Sequence, residues 1–197
     1  MSFDMLLALS GFALASSITP GPNNMMLLAS GVNFGFRRTV PHILGISGGF
    51  LALLVAIGLG LGTLIKAYPG LELAMKFASA AYLIYLAWKI AFSHSLSQSE
   101  AAARPLTFWQ AAAFQWVNPK AWMIALAGMA AFVTVDRPMV SMLIVAVVFT
   151  LINMPSVAVW AGFGVALRGF LSNPLRLRIF NITMGILLVA TIWLILA

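Results

Sequence analysis

Residues 13–31 read Ala13-Leu14-Ala15-Ser16-Ser17-Ile18-Thr19-Pro20-Gly21-Pro22-Asn23-Asn24-Met25-Met26-Leu27-Leu28-Ala29-Ser30-Gly31. They lie inside a run of 32 residues, between Asp4 and Arg37, that carries no formal charge. A helix needs about 20 apolar residues to cross about 30 Å of hydrocarbon, so this run is long enough to span a bilayer. Three further uncharged runs follow, Thr39–Ile65, Pro138–Leu167 and Ile179–Ala197. Of the 197 residues, 62% are hydrophobic and 8% charged, with mean hydropathy +1.04. Soluble domains carry about 25% charged residues, so soluble enzymes and soluble binding modules are excluded. The apolar residues run continuously rather than alternating, which also excludes an outer-membrane barrel.

The expected fold class is an all-α integral membrane protein, a single transmembrane domain over 1–197. Six transmembrane helices are expected at 4–31, 42–65, 71–92, 108–133, 139–166 and 176–197, which leaves only short loops. Orientation follows from the cations. Loops after spans one, three and five hold Arg37, Arg38, Lys89, Arg104, Arg168, Arg176 and Arg178, whereas the opposite side holds Lys66 and Arg137, with Lys76 just inside span three. Lys and Arg collect on cytoplasmic loops, so both termini are expected outside the cytoplasm. The net charge of +7 is therefore a topology signal and not a nucleic-acid footprint. With no cysteine, disulfide exchange and thiolate metal sites drop out, and no cofactor or metal is indicated.

Spans one and four are flawed in the middle. One holds Thr19-Pro20-Gly21-Pro22-Asn23-Asn24, the other Trp116-Val117-Asn118-Pro119-Lys120. Proline removes a backbone donor and clashes with the carbonyl one turn earlier. Lipid cannot satisfy the freed groups, so broken backbone persists only where protein or a water-filled cavity covers it. Pro22 to Pro119 and Pro41 to Pro138 are each 97 residues apart, which suggests two halves, 1–97 and 98–197. Each half has three spans, so the second is inverted relative to the first. Matched interrupted helices in two inverted halves point to a transporter's binding site near the bilayer midplane. The plainer alternative is two chance offsets among nine prolines.

A broken helix exposes N–H groups at the start of its second half and carbonyls at the end of its first. A zwitterion matches that arrangement, carboxylate on N–H groups and ammonium on carbonyls. The candidate substrate-binding residues are Thr19, Pro20, Gly21, Pro22, Asn23, Asn24, Asn118, Pro119 and Lys120. Asn23 or Asn24 has a plainer reading as a helix N-cap. Lys120 has two readings. A cation at bilayer depth costs about 2.5–3.5 kcal/mol or more, so it is either a countercharge for an anionic substrate group or a side chain that snorkels to the cytoplasmic surface.

The four acids, Asp4, Glu72, Glu100 and Asp136, all lie outside the span interiors, so a neutral zwitterion is favoured over a cationic substrate. His42 is the candidate proton carrier, its plainer reading being an interfacial side chain. Glu72 and Lys76 have helical pairing distance. Gly45 and Gly49 suit close helix packing, within one chain or across a homodimer. Tyr82, Tyr85 and Trp88 read as an interfacial aromatic belt, and Asn153-Met154-Pro155-Ser156 as a proline kink in span five. An intramembrane enzyme is disfavoured, because His42 and the loop residue His94 are the only histidines. A passive channel for small zwitterionic or polar solutes is the alternative function.

Three stretches carry a family resemblance: Ile18-Thr19-Pro20-Gly21-Pro22-Asn23, Ala80-Ala81-Tyr82-Leu83-Ile84-Tyr85-Leu86-Ala87-Trp88, and Phe114-Gln115-Trp116-Val117-Asn118-Pro119-Lys120-Ala121. Together they resemble the hallmarks of the LysE/RhtB family of amino-acid exporters. The resemblance implies six helices, the bacterial inner membrane, and efflux of amino acids by proton antiport, with the transport site around Pro20–Asn24 and Asn118–Lys120. Lysine exporters of the family carry an Asp in the second span where this sequence has Gly48. The pattern is more similar to the branch exporting cysteine and O-acetylserine, or threonine and homoserine.

Overall fold

In a computed structural model that describes residues 1–92 and 104–196, the chain is helical, with no strand among the described residues. The helices are α1 (Phe3–Ile18), α2 (Pro22–Phe34), α3 (Phe36–Ala56), α4 (Gly62–Ala67), α5 (Pro69–Ala91), α6 (Phe108–Gln115), α7 (Pro119–Phe132), α8 (Pro138–Leu167) and α9 (Pro174–Leu196). A π-helical turn, Ile57–Leu61, joins α3 to α4 and contains Gly60 at φ 107°, a conformation that glycine adopts without steric cost. Prolines do much of the delimiting. Five helices, α2, α5, α7, α8 and α9, begin on one, where the missing N–H has no intrahelical partner in any case.

By length and composition, four helical stretches suffice to cross a membrane: Phe36–Leu61, Leu73–Ala91, Pro138–Leu167 and Pro174–Trp193. The pair α1 and α2, bent by 57° at its break, makes a fifth if it counts as one span. The expected fourth span is occupied by two short helices, α6 and α7. Both expected breaks are therefore present, at Thr19–Gly21 and Trp116–Asn118. Pro22 and Pro119 each open the second helix after a break. Pro41 and Pro138 do not correspond in the same way, since Pro41 lies inside α3 and Pro138 starts α8.

Helix α8 is the hub, packing on α1, α2 and α3, while α3 also packs on α6, and α5 on α9. Small residues permit these approaches. A Cβ on Gly31 would strike the Ala161 carbonyl of α8, and one on Gly164 would strike the Leu28 carbonyl of α2. Gly45 and Gly49 lie against the α6 backbone at Phe108 and Ala112, so the expected small-residue pair serves packing within the chain. The largest apolar cluster joins Leu9, Phe50, Leu54, Trp122 and Phe149, with Phe149 edge-on to Phe12 and Phe50. Tyr82 packs against Phe114, whereas Tyr85 and Trp88 are exposed. The Glu72 side chain, His94 and Glu100 lie outside the described residues.

Candidate functional site

The two breaks meet. Lys120, in the first turn of α7, extends its side chain past Gly21 to the end of α1. Its Nζ donates to the Thr19 carbonyl at 2.7 Å, the Thr19 hydroxyl at 2.9 Å and the Pro20 carbonyl at 3.2 Å. Gly21 leaves room for this path, because a Cβ there would lie 2.8 Å from Lys120 Cδ. A second tie is reciprocal. Asn23 Nδ2 donates to Gln115 Oε1 at 2.8 Å and Gln115 Nε2 donates to Asn23 Oδ1 at 3.1 Å. Residues 92 positions apart in the chain thus join the start of α2 to the end of α6.

The end of α1 is the place where the sequence reading seated a substrate ammonium, and its carbonyls already have partners. The Ala15 carbonyl accepts from Thr19 N, and the Ser16 carbonyl from the Thr19 hydroxyl. Asn24 Nδ2 donates to the Ser17 and Thr19 carbonyls, and Trp160 Nε1 to that of Ile18. Lys120 takes Thr19 and Pro20. Unpaired backbone groups in a low-dielectric interior cost several kcal/mol each, roughly, and the chain's own donors meet that demand. The N-cap reading of Asn23 and Asn24 is corrected. Gly21 holds the cap position of α2 with no side-chain cap, because Asn24 turns back to α1 and Asn23 across to Gln115. Asn118 does cap α7, accepting from Lys120 N at 3.2 Å.

A cavity of about 40 Å³ lies between the breaks, room for roughly three water molecules. Of the expected residues, Gly21, Pro22, Asn23, Asn24, Asn118 and Lys120 line it. Thr19 and Pro20 do not; they hold Lys120 from outside. Pro119 does not line it either, and serves to start α7. Four polar liners were missed by the sequence reading: Ser16, Ser17, Gln115 and Asn153. Gln115 stands in a quoted motif, and Asn153 in the stretch read as a kink. Helix α8 runs through Pro155 unbroken and turns Asn153 inward, where its Nδ2 donates to Ser17 Oγ at 3.1 Å and its buried Oδ1 has no partner.

Electrostatically, the cavity is one-sided. Lys120 brings a positive charge, the first-turn N–H groups of α2 add partial positive charge, and among the described residues no carboxylate lines the cavity. Lys120 faces only neutral acceptors, on the exposed Thr19 and Pro20, and has no countercharge among the described residues. Gly48 is not part of the lining. It lies against the Phe108 ring, so the absence of a cavity carboxylate, rather than Gly48, bears on substrate charge. His42 lies apart from this cavity. It is 1% exposed, with both ring nitrogens unpartnered among the described residues, on a second cavity shared with Ser30, Asn33, Lys89 and Arg104.

The LysE type translocator family matches residues 14–194. The chain belongs to that family. It is therefore a membrane-embedded translocator and not an enzyme. This translocator is 32% identical to the cysteine/O-acetylserine efflux protein of Escherichia coli (strain K12), over 82% of its own length and 83% of that protein's. It is equally identical, 32%, to the cysteine/O-acetylserine efflux protein of Shigella flexneri, over 80% of each chain. No solved structure matches it.

Proposed function

We propose that this translocator exports small neutral amino acids or close derivatives from the bacterial cytoplasm by alternating access. The observation that carries the reading is the uncompensated Lys120 ammonium on a cavity whose remaining positive potential comes from the open N-terminus of α2. An intramembrane charge without a countercharge is costly, and a substrate carboxylate would supply it. The carboxylate-free lining disfavours dibasic substrates. The relatives' naming for cysteine and O-acetylserine fits a small polar zwitterion. The cavity is smaller than an amino acid, so it fits a closed form whose helices part to load and release. Inverted halves of three spans, with termini in the periplasm, remain our architecture. The mutual packing of α1 on α8 and α6 on α3 supports it, because the first half of each broken helix lies on the second span of the other repeat.

For coupling, the reading assigns the proton to His42. Its support is an imidazole buried without a partner beside a cavity that also meets Lys89 and Arg104, two cations of the side expected to be cytoplasmic. Purified protein in proteoliposomes tests both parts. Vesicles preloaded with labelled L-cysteine under reducing conditions should release it saturably and faster under an imposed pH gradient, and unlabelled cysteine on the opposite side should accelerate the exchange. Flux that neither saturates nor shows such trans-stimulation identifies a passive channel instead. His42→Gln should lose the response to the pH gradient; a variant that still responds removes His42 from coupling.

A further inference from the structure

A zwitterion needs two seats, and the partner inventory leaves few candidates for the second. The carbonyls from Ala15 to Pro20 each accept a hydrogen bond from the chain, and the Gly21 carbonyl accepts from Met25 N. Asn23 and Gln115 satisfy one another. Among the described residues, the buried side-chain nitrogens and oxygens without any partner are the two of His42, Ser79 Oγ and Asn153 Oδ1. Of these, only Asn153 lines the cavity that Lys120 reaches. It is 8% exposed, and Ser17 holds its amide by the nitrogen end, leaving the oxygen over. Nature pairs more than 90% of buried polar groups, so an orphaned amide oxygen on this cavity marks an acceptor that something else completes.

We infer that Asn153 Oδ1 is the acceptor for the substrate's α-ammonium, and that Asn153 sets the demand for an amino group. The inference rests on the reading that this cavity carries an amino acid. A neutral amide oxygen, rather than a carboxylate, accepts from an ammonium without leaving a buried negative charge when the site is empty of substrate. Two consequences follow: carboxylic acids without an amino group bind weakly although Lys120 is satisfied by them, and helix α8, the hub of the packing, senses the bound amino acid directly.

The test is competition against counterflow of labelled L-cysteine in reducing buffer, using proteoliposomes of the full chain. The competitors are L-serine and 3-hydroxypropanoate, which keeps the carboxylate and hydroxyl and lacks the ammonium. Wild type should prefer serine by about tenfold or more. Asn153→Leu should cut that preference about tenfold, and Asn153→Asp should raise it above wild type. If the leucine variant does not fold, the aspartate variant decides alone. A preference unchanged in the folded variants, with counterflow intact, overturns the inference and leaves the export reading standing. Absence of saturable cysteine counterflow in the wild type overturns both.

Discussion

At the scale of single residues, Lys120 does two things at once: it caps the carboxyl end of α1 and, among the described residues, brings the only formal charge to the cavity lining. Asn24 Nδ2 also donates to the Thr19 carbonyl, which therefore keeps a donor when Lys120 is lost. Lys120→Met should therefore lower stability by about 1 kcal/mol, a small drop in detergent melting temperature, while efflux falls about tenfold or more because a charge-assisted contact is lost. Normal efflux by that variant would remove Lys120 from the site. Gly21→Ala should mimic it in part, since the new methyl displaces the Lys120 stem; folded yield stays near wild type and transport falls. A strong residue signal was legible in the sequence here, because a lysine deep in an apolar span has few physical explanations. Asn153 was not legible. Asparagine beside proline in a helix reads as local backbone chemistry until a neighbouring helix shows which way the side chain faces.

Among the elements, the contact between α2 and α8 is set by glycine. Gly31 and Gly164 let backbone meet backbone, and no rotamer change relieves a clash with a carbonyl. Gly31→Val should cost about 1–3 kcal/mol of overpacking, at the upper end of that range, seen as a clear loss of melting temperature. A variant as stable as wild type would mean that α2 and α8 separate readily. Breaks and helix starts were legible at this scale, since Pro22 and Pro119 act through φ and a missing N–H, which are local. What each break does with its freed groups was not. The end of α1 draws on Asn24, Trp160 and Lys120, from three helices, and none of these pairings has a sequence signature.

On the scale of the whole molecule, we propose from the charge count that both termini lie outside the cytoplasm, which needs an even number of spans. Length and apolarity alone mark four or five, because α6 and α7 are each short. A periplasm-active phosphatase fused after Ala197 should be active, as should one fused before Met1. Activity at one end only would mean an odd number of spans and would break the inverted-repeat architecture. The sequence by itself determined a membrane location, the segments that form helices, the two places where they fail and the lack of deep acids; these follow from composition, hydropathy and proline, which act along the chain. Tertiary structure decided that the two failures face each other, that the α1 carbonyls are filled from within, and that Asn153 is left with an open acceptor. Those outcomes depend on which side chains of distant segments arrive within hydrogen-bond reach, a property of packing in three dimensions.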